Sequence, residues 1–127
     1  MVETKTFTFN DKKYVLRCSL LTVETYERMT GKKFTRAITL FQRLGNGLAD
    51  LNEEEATEKL MSDLLEIETC AVNMAYCMIL EAKHKGYNQD FNMTADEFKT
   101  EVGALGSNEL KGVLELAMSI FPRSLHK

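Results

Sequence analysis

The residues in this 127-residue chain best suited to nucleophilic, redox or metal chemistry are three cysteines and two histidines. A nucleophile needs a base within reach and a further group that orients the base. His126 is the penultimate residue, and His84 lies in the run Lys83-His84-Lys85, where cations suit the C-terminal end of a helix. Cys70 and Cys77 are seven positions apart, about 10 Å along a helix, which is too far for a disulfide. No CxxC, HxxxH or calcium-loop spacing occurs, so core packing is the expected role of the thiols. The acidic run from Asp50 to Glu58 reads as a solvated helix start, since no histidine accompanies it for acid–base work. Neither GxGxxG nor GxxxxGK[ST] is present, and Gly45-Asn46-Gly47 reads as a plain turn. These residues predict no enzyme, no metal and no cofactor.

The elements that would position them are centred on Leu64 to Ala82, predicted to be one helix. Between Thr69 and Leu80 it carries no charge. On a wheel of about 100° per residue its apolar side chains cover most of the circumference. Leu64, Ile67, Ala71, Ala75, Met78 and Ala82 form a core stripe, facing residues such as Ile38 and Phe41, while Glu66, Thr69 and Asn73 form a polar strip. Such a helix is normally buried. Its extra apolar width at Met74, Tyr76, Cys77 and Leu80 exceeds what a small domain needs, which predicts that part of it meets a partner. Methionine suits either role, as a filler of core gaps or as an adaptable contact.

Around this rod the chain reads as a mainly α single domain over residues 1–127, with a β-hairpin over 1–19 packed on a multi-helix part over 20–127. Phe7 and Phe9 alternate with threonines, Asn10-Asp11-Lys12-Lys13 is turn chemistry, and Tyr14, Leu16 and Cys18 complete the inner face of the hairpin. Ser19 or Thr22 caps a helix to about Thr30, stopped by Gly31. Phe34, Ala37, Ile38, Phe41 and Leu44 mark a second helix. Asn52 and Glu55 open a third near Glu53, with a break conceivable at Ser62 and an end near Lys85-Gly86. Thr94 and Glu97 form a capping box for a helix over Ala95 to Val102. Gly103 and Gly106 bracket a turn before a last helix, capped by Ser107 or Asn108 and stopped by Pro122. Leu110, Val113, Leu114, Ala117, Met118 and Phe121 face inward on it.

Charge divides the chain. Residues 1–44 hold nine Lys/Arg and four Asp/Glu, net +5, and the remainder holds seven and fifteen, net −8. Opposite halves predict internal neutralisation or, less readily, head-to-tail pairing of copies. Lys32, Lys33, Arg36 and Arg43 make the second helix basic, a surface for an acidic protein partner or, as a rival reading, for nucleic acid. The acidic total and the lack of interleaved glycines or exposed aromatics argue against nucleic acid. The odd thiol count and the lack of a leader-like segment suggest a reducing compartment, and no stretch is apolar enough for a membrane span.

Phe7, Phe9, Asn10, Lys12, Tyr14 and Leu16, followed by Tyr26, Glu27, Thr30, Gly31, Lys32 and Phe34, form a pattern over the first third of the chain. It resembles the tail assembly chaperones of long, non-contractile-tailed bacteriophages. The rest is similar as a succession of helices, including the Thr94 to Phe98 start. Asp11 departs from the pattern, since glycine commonly follows the asparagine in such hairpins. The resemblance implies a non-enzymatic protein of the host cytoplasm, absent from the mature virion. Its partners would be the apolar tape-measure protein, the tail-tube protein and further copies of itself, with neither nucleic acid nor membrane. A component that stays in the particle is the other structural reading.

Overall fold

A computed structural model describes residues 4–9, 11–47, 53–103, 105 and 107–120, apart from the side chains at 41–47, 53–61, 63, 64 and 107. The expectations for Asn10, Asn52, Gly106, Phe121, Pro122 and His126 lie outside the described residues. So do those for the side chains of Phe41, Arg43, Leu44 and Leu64 and for the acidic run Asp50 to Glu58. The protein is mainly helical: β1 (Thr4–Phe9) and β2 (Lys12–Arg17) precede α1 (Leu20–Thr30), α2 (Phe34–Gly47), α3 (Glu53–His84), α4 (Ala95–Val102) and α5 (Ser107–Met118).

The strands pair antiparallel with Phe7 opposite Tyr14 and Lys5 opposite Leu16. Period-2 alternation puts Phe9, Leu16 and Cys18 in the core, with Phe7 and Tyr14 packed against it. Asp11 sits at φ 64, the left-handed conformation that glycine usually supplies in this turn and that aspartate tolerates. Ser19 caps α1, and its N–H donates to Thr22 Oγ1 at 3.0 Å. Gly31 ends α1 at φ 70, donating its N–H to the Glu27 carbonyl. The capping box of α4 forms in both directions: Glu97 N–H to Thr94 Oγ1 at 3.2 Å, and Thr94 N–H to Glu97 Oε1 at 2.9 Å.

The rod α3 runs unbroken through Ser62 for 32 residues, about 48 Å at the helical rise. It packs on β2, α1, α2, α4 and α5. A lone hairpin is marginal in water, and here an aromatic layer holds it on the helices. Phe9 stacks on Phe7 and Tyr14 and meets Phe98 edge-on at 5.9 Å. Tyr14 meets Phe91 at 5.5 Å, and Tyr76 touches both Phe91 and Phe98. Beyond surface burial, each such pair contributes about 0.5–1.5 kcal/mol.

Part of the charge asymmetry is met within the molecule. Lys5 pairs with Glu115 at 3.1 Å, Arg17 with Glu81, and Arg36 with Glu66 at 3.0 Å. Each of these three pairs joins a cation of the first 44 residues to an anion of the rest.

Candidate protein-contact surface

The predicted contact face of α3 requires correction. Met74 and Cys77 are fully buried, and Leu80 packs partly buried against the same core. Tyr76 donates its hydroxyl to the Met93 carbonyl at 2.8 Å, and its ring completes the aromatic layer. The cause is position in the fold. Five elements surround α3, so the apolar side chains at Met74, Tyr76, Cys77 and Leu80 find intramolecular neighbours. The wheel undercounted them because the segment after α3, an extended loop in sequence, folds back as a sixth wall through Phe91 and Met93.

The basic residues lie elsewhere, on a shoulder between α1 and α2. The left-handed Gly31 turns the chain, and Glu27 Oε2 accepts the Phe34 N–H at 2.9 Å, closing the start of α2. This sharp corner leaves Lys32 and Lys33 exposed. Arg36 is exposed too, but its Nε and Nη2 both donate to Glu66 Oε1, at 3.2 and 3.0 Å. Among the described residues the shoulder therefore offers two cations, Lys32 and Lys33, without an ion-pair partner and a third, Arg36, already paired.

Beside it a cleft of about 300 Å³ opens between α1, α3 and the start of α4, lined by Met29, Lys32, Thr69, Asn73, Asp96 and Lys99 among others. Asn73 is buried with its Oδ1 lacking a donor, an arrangement that costs stability. Here the polar strip Glu66, Thr69 and Asn73 comes out of the core, the face that the wheel assigned least apolar weight. Large apolar side chains are exposed close by in sequence: Leu20 (73%), Leu21 (45%) and Met29 on α1, and Leu65 (71%) on α3. Sequence periodicity placed Leu65 beside the core stripe and gave no sign of the exposure of Leu20 and Leu21, because exposure depends on where α1 and α3 cross.

The thiols are suited to packing. Burial pushes Cys18 and Cys77 up to about 12, well above an ordinary thiol, so little thiolate forms near neutral pH. Burial likewise raises the Tyr26 hydroxyl, which lies against Cys70. Among the described residues no group of three or more His, Cys, Asp or Glu side chains could hold a metal ion. No described helix is long and apolar enough to cross a membrane. The surface can thus offer apolar contact flanked by positive charge.

The hairpin is tied down by a residue that sequence reasoning passed over. Asn88, at φ 51, accepts the Val15 N–H on Oδ1 at 2.9 Å and donates Nδ2 to the carbonyls of Val15 at 2.8 Å and Ile79 at 3.1 Å. Its side-chain amide occupies the place of a third strand. The only local signal was an asparagine two residues past a glycine, which reads as an ordinary turn. No protein-family model, no curated protein and no solved structure matches this chain.

Proposed function

We propose that this chain is a tail assembly chaperone of a long, non-contractile-tailed bacteriophage. On this reading it binds the apolar tape-measure protein in the host cytoplasm, assists tail-tube subunits in polymerising around it, and leaves before the tail is complete. It does so as a binding protein, without catalysis or cofactor. The observation that carries the reading is the residue pattern from Phe7 through Tyr14 and Leu16 to Thr30-Gly31-Lys32 and Phe34. Support of a general kind comes from the surface. Leu20, Leu21, Met29 and Leu65 are exposed, and Lys32 and Lys33 stand near Met29 without ion-pair partners among the described residues. Apolar side chains edged by cations suit an amphipathic helical client with acidic flanks.

The test is retention of tiled segments of the tape-measure protein from the phage genome that encodes this chain. At least one segment should co-elute with the purified protein, and Met29→Asp with Lys32→Glu should weaken that retention about tenfold, the effect of removing one apolar anchor and one charge contact. Failure to retain any segment, with the helical spectrum intact, would overturn the proposal. Two outcomes would replace it. Salt-sensitive retention of DNA or RNA, lost when Lys32, Lys33, Arg36 and Arg43 are neutralised, would make it a nucleic-acid-binding regulator. Recovery of the chain from purified virions would make it a structural component.

A further inference from the structure

The two long edges of the hairpin are finished differently. Val15 directs both its N–H and its C=O at the Asn88 amide, so its main chain faces away from β1. In an antiparallel ladder the N–H and C=O of one residue lie on the same side, and the side alternates residue by residue. Thr6, opposite Val15, therefore stands in a non-hydrogen-bonded pair, as do Thr4 opposite Arg17 and Thr8 opposite Lys13. The main-chain groups of Thr4, Thr6 and Thr8 point outward from the far edge of β1. Among the described residues, no backbone or side-chain group pairs with them.

We infer that this edge joins two copies of the chain: β1 of each adds antiparallel to β1 of the other, making a four-stranded sheet with its two-fold axis at Thr6. The strand is self-complementary in that register. Thr6 lies opposite Thr6 of the second copy and Thr4 opposite Thr8, so the outward groups of the two strands meet in about six hydrogen bonds. The side chains agree. On the solvent face every cross-strand pair is threonine with threonine, a favourable β-branched pairing. On the helical face Lys5 lies opposite Phe7 of the other copy, an arrangement open to cation–π contact and free of opposed like charges.

Neighbouring registers are poorer. Shifting the axis to Lys5 opposes the two lysines, and shifting it to Phe7 or Lys5 shortens the ladder to about four bonds. Proteins that keep a strand edge solitary place prolines, bulges or outward charges on it. The run Thr4–Phe9 has none of these, and its one cation, Lys5, already pairs with Glu115. The β2 edge, by contrast, is filled by Asn88 and flanked by exposed Lys12 and Lys13. Six residues of added strand cover less than a standard interface of about 1,200–2,000 Å², so the dimer is weak and depends on concentration. The inference holds whatever the client is.

Sedimentation equilibrium over a concentration series tests it. The unmodified chain should show monomer and dimer in exchange, without larger species growing from β1. Thr6→Pro removes a donor that only the free edge uses, so the hairpin tolerates it. The variant should keep its far-UV spectrum and thermal midpoint while dimerising at least roughly tenfold more weakly. Thr6→Lys, which opposes two cations across the axis, should weaken the dimer at low salt and recover at high salt, and it decides the matter if the proline variant unfolds. A chain that stays monomeric at millimolar concentration would overturn the inference. So would a dimer indifferent to both substitutions, or an edge that captures an extended peptide but not a second copy. Retention of tape-measure segments by the monomeric variant would leave the chaperone reading standing on its own.

Discussion

The two strands of the hairpin have the same length and similar β-forming composition, yet they are held by different kinds of force. β2 lies on α3, with its outer edge closed by Asn88 and its last residue, Arg17, paired to Glu81. Glu81 is only 4% exposed; its Oε1 accepts from Arg17, and its Oε2 has no hydrogen-bond partner among the described residues. β1 is held by the ladder to β2, by Phe7 lying over Gly112 of α5, and by the exposed Lys5–Glu115 pair. A buried charge ties its partner strongly, because losing the partner leaves the charge without compensation. An exposed pair contributes about 0–1 kcal/mol. The hairpin is therefore anchored through β2, and β1 can present an open edge without endangering the fold.

Breaking the anchor at its strongest point should have the largest effect. Arg17→Met should lower unfolding free energy by about 3 kcal/mol in chemical denaturation, whereas Lys5→Met, the corresponding change on β1, should cost less than about 0.5 kcal/mol. A smaller loss should follow alkaline pH. Cys18, just past β2, and Cys77 are raised from an ordinary 9.0 to about 12 in the folded chain. Folding thus favours their protonated forms, so this contribution is complete below pH 9 and disappears as pH rises toward 12. Denaturation at pH 8 and pH 10 should differ by about 2–3 kcal/mol from these two thiols together. Both should label with a thiol reagent only as the β2 side opens.

Asn88→Gly keeps the left-handed backbone and deletes the amide. It should cost about 1–2 kcal/mol and abolish hydrogen-exchange protection at the Val15 amide. Gly112→Val acts on the other strand. A Cβ there runs into the Phe7 ring, so stability should fall by about 1 kcal/mol while the Val15 amide stays protected. If both variants expose that amide equally, the hairpin is held as one unit and the distinction between its strands fails. The smallest change should come from the turn that joins them: Asp11→Gly relieves φ 64 and should raise the unfolding free energy by about 0.5 kcal/mol, read as a slightly higher thermal midpoint.

Local chemistry made much of the architecture legible. The inner face Phe7, Phe9, Tyr14, Leu16 and Cys18, the left-handed stop at Gly31, and the Thr94–Glu97 box follow from alternation, a missing Cβ and reciprocal capping. Each requires only neighbours in the chain. The contact surface was far less legible. Met74 and Cys77 looked like spare apolar width because Phe91, Met93 and Phe98 were not visible as walls of their pocket. Lys32 and Lys33 were expected to be exposed and are, while Arg36 is engaged by Glu66, thirty residues away.

Sequence by itself determined which segments are strand or helix, where most of them stop, and that cations of the first third need anions from the rest. These are properties of short-range periodicity, caps and summed charge. Tertiary structure decided which face of α3 is left for contact, which lysines are free, and which edge of the hairpin is open. Those outcomes depend on pairs such as Asn88 with Val15 and Arg17 with Glu81, 73 and 64 residues apart. Nothing local distinguishes such an asparagine from a turn residue, or such a glutamate from a solvated one, until the chain has closed around them.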